Sequence, residues 1–410
     1  MGPLSLLRLW RMLRPGGHPD SRAIERMGLL AVKVAQHMAL RADFLPPEHC
    51  LELMRLFRRA APLTPEESRA RLRSLRPAEW FESFESLEEV PFAAASVGQV
   101  HRAVLKGGRR VVVKLVKTEA REAFLRDLRL VRTLLRLGLS LRPDLRRVFD
   151  PLEALEAIRQ ATLHELDLRH EIEGQAVLRG IYEEAAREFR IENFFFHAIH
   201  PELSCADVLV SDEVEGRPLD ALISEGAVSY SRLLELFRLH GYAIFCRGAF
   251  HGDIHPGNIL VTPDGRFVFV DTAFVGTVGE RLRRGLLSFF EALSRYDYEA
   301  CAVRLNAMAS HQIEGRAFDA FRERFLGIYA EYTGSTVSQV SLTRKMMQTI
   351  RLGVESGMVF EAGMFSVIKS LMYLDGMVLR VNPQARLVED MRPFVAEFET
   401  YERAFALQAP

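Results

Sequence analysis

Asp253 and Asn258 stand five residues apart in His251-Gly252-Asp253-Ile254-His255-Pro256-Gly257-Asn258, and Asp271 follows thirteen residues later, closing Arg266-Phe-Val-Phe-Val-Asp. A carboxylate, a carboxamide and a second carboxylate are the oxygen groups that phosphoryl transfer from a nucleotide needs. One acid orients or deprotonates the acceptor, while Asn and Asp hold metal on the phosphates. Magnesium suits Asn258 and Asp271, because it takes a few carboxylate or carbonyl oxygens and completes its shell with phosphate and water. His251 and His255 have the spacing of a metal pair on a helix, but the flanking Gly and Pro deny them one. Bracing of the loop is the expected role.

Lys114 lies in Val111-Val-Val-Lys-Leu-Val116, a strand apolar on both faces, where a lysine is costly unless paired. A lone lysine of this kind most often reaches solvent from a sheet edge. The downstream acids favour pairing instead, and Glu171 is the expected partner, as the phosphate-gripping lysine of kinases pairs with a helix glutamate. Glu165, Asp167 and Glu171 crowd three acids into what reads as two helical turns. Glu165 and Asp167 cannot share one helix face, so one of them is expected to point toward metal or a basic partner; plain surface acids are the alternative.

The elements that must carry these groups can be read from periodicity. Residues 21–60 are helical, interrupted at Pro46-Pro47, and Thr64-Pro65-Glu66-Glu67 starts another helix because Thr can cap and Pro suits the first turn. From 91 to 117 the period changes. Val97 to Val104, a Gly107-Gly108 turn and Arg110 to Val116 form a predicted β-hairpin. Helices are expected over 118–145, 150–185 and 229–249, with short strands at Phe194, Val208, 259–261 and 267–270, and a nearly all-helical stretch over 280–400. Helices, then a small mixed sheet, then a helical half give an α+β, two-lobed, protein-kinase-like fold. It divides into a helical extension (1–80), an N-lobe (81–215) and a mostly helical C-lobe (216–410), with Glu215-Gly-Arg-Pro218 as the hinge.

Acidic and basic residues balance at 54 each, so no overall field favours nucleic acid. Arginine does alternate with leucine between Arg126 and Arg147. That stretch reads as an amphipathic helix whose basic face is either solvated or turned to phosphate or anionic lipid. Met1 to Arg14 is either a short interfacial helix with snorkelling arginines or a frayed or core-docked terminus. Cys50, Cys205, Cys246 and Cys301 have no paired spacing, so a reducing compartment and no zinc site are expected. No apolar run reaches the roughly 18–20 residues of a membrane span.

From about Met27 to about Pro383 the chain resembles the UbiB/ABC1 (ADCK, coenzyme Q8-type) family of atypical kinases. Lys33-Val-Ala-Gln36, followed by Arg41-Ala-Asp-Phe-Leu-Pro-Pro-Glu48, is similar to the family's K-x-G-Q signature. Ala93-Ala-Ala-Ser-Val-Gly-Gln-Val-His101 is similar to its alanine-rich loop, and Glu165-Leu-Asp167 to its E-x-D motif; the 251–258 loop and Asp271 complete the set. The resemblance implies Asp253, Lys114 and Glu171 as the catalytic group. It places Ala93, Ala94, Ala95, Ser96, Lys114 and Asn258 on the nucleotide, ATP or ADP, and assigns Mg2+ to Asn258 and Asp271. Lys33, Gln36, Glu165 and Asp167 are implied to fold over the place where a protein substrate would lie, which disfavours protein kinase activity. ATPase or small-molecule phosphotransfer supporting isoprenoid-quinone (ubiquinone) biosynthesis follows. The implied partners are nucleotide, a quinone-like lipid or anionic membrane surface, and quinone-biosynthesis proteins. The implied location is cytoplasmic, peripheral at the inner membrane.

Alanine cannot adopt positive φ cheaply, so the alanine loop should be stiffer than a glycine loop. Ala35 stands for the signature glycine and Ile254 for a proline, both mild changes. Asp271-Thr272-Ala273 replaces Asp-Phe-Gly, keeping the metal-binding acid but not the residues of a flipping loop. The segment Val210-Ser-Asp-Glu213 is unusually polar for a hinge that holds adenine. Two other readings stand beside this one. An aminoglycoside- or choline-type phosphotransferase would share His-Gly-Asp-x-x-x-x-Asn but leave the other motifs idle, and a nucleotide-binding pseudokinase would act as a scaffold.

Overall fold

The computed structural model describes residues 2–14, 16–39, 45–53, 56, 63–94, 98–141, 151–361 and 363–408. The chain folds as two compact units: Met1–Glu173 with His197–Val214, and Gly174–Phe196 with Glu215–Pro410. This differs from a three-part division at residues 80 and 215. The helical extension and the small sheet share one unit, and 174–196 joins the C-terminal half. The reason for the second difference is aromatic. Tyr182 packs against Phe194, Phe196 and Phe269, and Phe194–Phe195 pairs in parallel with Phe267–Phe269.

In the first unit an antiparallel sheet runs in the order Phe84–Leu87, Gly98–Leu105, Arg110–Val116, Val208–Asp212, with Ala93–Ala94 also paired to Gly98–Leu105. The hairpin expected around Gly107-Gly108 is present, and both glycines have positive φ (100° and 82°), the conformation such a turn demands. Strand alternation turns Val111, Val113 and Leu115 into a core with Trp80, Phe84 and Val210. Each such aliphatic side chain contributes roughly 1.5–3 kcal/mol on burial. Lys114 therefore points to the opposite face, where Val116, Leu166, Leu168 and Leu209 cluster.

The helix at Pro65–Leu75 begins with a reciprocal capping box between Thr64 and Glu67. It is tied to the sheet by Gln99, which is fully buried. Gln99 Nε2 donates to Ser68 Oγ at 2.7 Å, and its Oε1 accepts from the Leu63 amide at 2.7 Å. Helices Leu29–Ala39, Thr118–Leu141 and Pro151–Glu165 bury Leu30, Phe124, Leu128, Val131 and Ile158 together. The Pro3–Leu13 helix buries Leu9 and Leu13 but leaves Leu4 (83%) and Trp10 (59%) exposed, so it is docked along only part of its circumference.

The long helical stretch expected to run through Glu165, Asp167 and Glu171 is broken. One helix stops at Glu165 and the next begins at Arg169. Leu166 and Leu168 are both buried, and the Leu168 amide donates to Ala206 O at 2.8 Å. The break is a turn: the Leu166 amide still bonds Thr162 O, and the Asp167 amide bonds His164 O, before the next helix starts.

In the second unit Phe194–Phe195, Phe267–Phe269, Ile259–Val261 and Arg217–Pro218 form one small sheet, and Ala249–His251 pairs with Val275–Thr277. Helices from Glu280–Ser294 to Leu387–Gln408 complete it. The predicted helix over 229–249 is α-helical only over Tyr230–Tyr242 and becomes a π-turn at Ala243–Arg247, ending at Gly248 (φ 70°). Such turns often sit beside functional loops. Here Arg283 supports it, donating to Phe245 O and pairing with Glu402, both at 2.6 Å. The four cysteines are free thiols.

His240 is fully buried edge-on to Phe250, and neither ring nitrogen has a hydrogen-bond partner. Burial, with a smaller contribution from neighbouring His251, lowers its pKa from 6.5 to about 3. Above pH 6.5 both folded and unfolded chains hold it neutral. As pH falls the unfolded chain takes a proton that the folded one refuses, so stability drops progressively toward pH 3. Urea melts between pH 6.5 and 5 should show this slope. His240→Phe is expected to flatten it by about 1.4 kcal/mol per pH unit, and an unchanged slope would contradict the assignment.

Candidate functional site

Within the first unit, Lys114 Nζ is hydrogen-bonded and ion-paired to Glu171 Oε1, with the glutamate side chain only 6% exposed. Strand alternation presents the lysine, and the Arg169–Phe189 helix presents the glutamate two residues past its start. Lys33, buried on the Leu29–Ala39 helix, pairs with Glu165 at the last position of its own helix. Gln36 Nε2 donates to Leu56 O at 2.9 Å. Asp167, in the break, accepts from the Arg169 amide at 3.1 Å and from its guanidinium at 2.9 and 2.6 Å. The guanidinium hydrogen bonds hold the Asp167 carboxyl below its usual range. Both acids of Glu165-x-Asp167 thus have basic partners.

Ala93 and Ala94 form a short strand opposite Val100 and Gln99 rather than a loop, while Ala95 and Ser96 lie outside the described residues. The polar segment before the unit boundary is engaged locally. Glu213 binds Arg102 and Arg110 at 2.9 and 2.8 Å, and Asp212 binds His200 at 2.9 Å.

Within the second unit two β-pairings hold the remaining groups. Ile259–Val261 against Phe267–Phe269, continued by the Val270 amide to Asn258 O at 2.9 Å, puts Asn258 and Asp271 at the same end of one ladder. Ala249–His251 against Val275–Thr277, with the Gly252 amide on Phe274 O at 2.8 Å, anchors the start of the loop to the segment after Asp271. Asn258 Nδ2 reaches both Asp253 Oδ2 and Asp253 O at 3.2 Å. The two histidines brace backbone: His251 Nδ1 accepts from the Asp253 amide at 3.1 Å, and His255 Nδ1 from the Gly257 amide at 3.0 Å. Burial pulls the His251 pKa down against the pull of Asp253 and Asp271. Asp271 has φ 67°, a left-handed conformation that Asp and Asn tolerate better than other side chains.

Two close approaches explain glycines. A Cβ on Gly252 would sit 2.1 Å from Phe274 Cδ1, and one on Gly174 would sit 1.9 Å from Thr272 O. The ring therefore lies directly on the loop, and the helix backbone directly on the residue after Asp271.

Sequence reasoning missed Lys369 as a site residue. It is 6% exposed on the Gly363–Val381 helix, and its Nζ lies 3.0 Å from Asp253 Oδ1. Burial pushes the Asp253 pKa up, but the neighbouring Lys369 charge, together with His251 and His255, outweighs it and holds the carboxyl below its usual value. A buried lysine amid Ile368, Leu371 and Met372 was the available signal.

Among the described residues no three His, Cys, Asp or Glu side chains cluster as a metal site. One carboxylate and one carboxamide oxygen are hard donors that fit a cation completing its shell with phosphate and water, as Mg2+ does. No helix of the described residues is long and apolar enough to cross a membrane.

Residues 55–305 match the family described as the ABC1 atypical kinase-like domain. A "Probable protein kinase UbiB" of Vibrio vulnificus (strain CMCP6) is 25% identical over 398 residues, covering 94% of this chain and 71% of the relative. Its namesake in Aeromonas salmonicida (strain A449) is 27% identical over 385 residues, covering 91% and 68%. The solved structure titled "The complex structure of Rv3197-erythromycin from Mycobacterium tuberculosis" covers 93% of this chain and 95% of that chain, at 20% identity and a TM-score of 0.48. The matched segment contains Lys114, Glu171, Asp253, Asn258 and Asp271, and the chain belongs to the ABC1 atypical kinase-like family, as a UbiB-type protein with the α+β kinase-like fold.

Proposed function

We propose that this protein binds ATP with Mg2+ and either hydrolyses it or passes the γ-phosphoryl group to a small acceptor, in support of isoprenoid-quinone synthesis. The observation that carries this reading is the part-buried Lys114–Glu171 pair, since a strand lysine held by a helix glutamate is what grips nucleotide phosphates in kinases. Lys114 binds phosphate oxygens and Glu171 keeps it extended. Asp253 orients the acceptor hydroxyl or water and takes up its proton as the new bond to the γ-phosphorus forms and the bond to the bridging oxygen breaks, releasing ADP. Asn258 and Asp271 would hold Mg2+, which supplies charge neutralisation on the phosphates. The Lys33–Glu165 pair, with Gln36 and Asp167, serves to exclude protein substrates, so water or a small acceptor is favoured over a polypeptide.

The partner is an anionic lipid surface or a quinone-like lipid. Two features support it: the exposed Leu4, Leu7 and Trp10 beside arginines on the first helix, and a cleft of about 550 Å³ lined by Leu125, Leu128 and Leu155 and by Arg129, Arg132 and Arg136, with Arg159 paired to Glu156 at its edge. Apolar and cationic lining residues match an acyl or prenyl chain with an anionic head.

Thermal melts with ATP, with and without Mg2+, test the nucleotide claim. A ligand at a hundred times its Kd stabilises by about 2.7 kcal/mol. Asp271→Asn, which suits the left-handed backbone, is expected to keep the unliganded Tm and lose the Mg2+-dependent part of the shift. A wild-type protein whose Tm ignores ATP and Mg2+ would end this reading.

A further inference from the structure

Lys369 has no part in the motifs above, yet it is one of the most buried cations of the second unit. It sits mid-helix in Gly363–Val381, flanked by buried Ile368, Ser370, Leu371 and Met372. An ammonium in such surroundings is strongly destabilising unless a carboxylate meets it. The group it meets is Asp253, at 3.0 Å from Nζ to Oδ1. The other oxygen, Oδ2, is held by Asn258 Nδ2 at 3.2 Å. Asn258 thus donates to one carboxylate oxygen from the loop, and the Lys369 ammonium forms an ion pair at the other from a distant helix. A donor on one oxygen and a positive charge beside the other restrain the carboxylate from both sides.

The same helix face does more. Tyr373, one turn after Lys369, stands edge-on to His255 with ring centroids 5.3 Å apart. Lys369 Nζ also lies 5.7 Å from the Phe274 ring and 5.9 Å from that of Tyr373, within range of cation–π attraction. Phe274 in turn rests on Gly252. One helix face therefore braces the loop at Asp253 and at His255, and contacts the segment that follows Asp271.

We propose that Lys369 is a positioning residue for the phosphoryl-transfer reaction, fixing the Asp253 carboxylate in the orientation that receives the acceptor. This rests on the nucleotide-using reading above. It predicts an effect on the chemical step transmitted through Asp253, not on nucleotide affinity. A purely structural lysine would change stability and leave the rate of the folded protein alone.

The test is a double-mutant cycle on the full chain: wild type, Lys369→Met, Asp253→Asn and the combined variant. For each, kcat and KM for ATP are measured as phosphate release, alongside Tm. Lys369→Met is expected to lower kcat about 100-fold with KM for ATP changed less than threefold. In the Asp253→Asn background it should cost nothing further, because the group it positions has gone. Lys369→Gln, whose amide still donates to Asp253, should lose less than the Met variant, and it carries the cycle if Lys369→Met fails to fold. Equal losses in both backgrounds, a kcat within twofold of wild type, or a loss confined to KM would each overturn the proposal. No turnover in the wild type would overturn both this proposal and the function it rests on, whereas turnover unaffected at Lys369 would overturn this one alone.

Discussion

Replacing Asp253 by Asn should lower nucleotide turnover by about 10²–10⁴-fold, the usual contribution of a positioned general base or acceptor-orienting acid, while leaving ATP binding nearly intact. The substitution is nearly isosteric, and the backbone bonds that shape the loop do not use the carboxylate. His251 Nδ1 holds the residue 253 amide and Asn258 Nδ2 holds its carbonyl oxygen. An asparagine can still offer one oxygen to Lys369, so the buried ammonium keeps an acceptor. Phosphate release under single-turnover conditions, paired with the ATP-induced Tm shift, separates the two effects. Turnover within tenfold of wild type, with the shift retained, would remove Asp253 from the chemistry and favour a residue-independent hydrolysis.

The second large effect is on the first unit. Lys114→Met leaves a glutamate with a 6% exposed side chain facing an apolar one where an ammonium stood. Breaking a buried pair by removing one partner costs roughly 3–5 kcal/mol, much more than the intact pair contributes. Loss of nucleotide binding in that variant alone would therefore be ambiguous between unfolding and lost phosphate contact. Adding Glu171→Gln neutralises the stranded charge, and the double variant is expected to recover most of the lost stability in urea melts. Both variants should remain without an ATP-induced shift. A Lys114→Met protein as stable as wild type would show that the pair holds nothing together. An ATP shift regained in the double variant would show that Lys114 does not grip phosphate.

The Lys33–Glu165 contact illustrates how far spacing alone can reach. The mismatch of Glu165 and Asp167 with a single helix face pointed to metal or a basic partner for at least one of them, against plain surface acids, and both have basic partners, in Lys33 and Arg169. The physical cause was different from the one expected. A turn at Leu166–Leu168 separates the two helices, and both leucines are buried, so the two acids are set apart by backbone geometry as well as by facing. Gln99 and His101 teach the same lesson. The family resemblance puts them in the alanine-rich segment, while periodicity puts them on a strand, which is where they lie; Gln99 is fully buried, bridging the capped helix to the sheet and lying 2.8 Å from His101.

What the amino-acid order determined by itself was mostly what acts over a few residues. The Gly107-Gly108 hairpin, the helix start at Thr64 and the acid–amide spacing of the 251–258 loop follow from turn chemistry and spacing, whereas the break after Glu165 and the π-turn at Ala243–Arg247 did not show in the period. Tertiary structure decided what depends on residues far apart in the chain. It assigned 174–196 to the second unit through Tyr182 and its phenylalanine partners, required glycine at 174 and 252 through close approach, and brought Lys369 from a late helix onto Asp253. Local signals are carried by backbone dihedrals that a residue and its neighbours set together. A buried cation declares its partner only once packing has removed water from both.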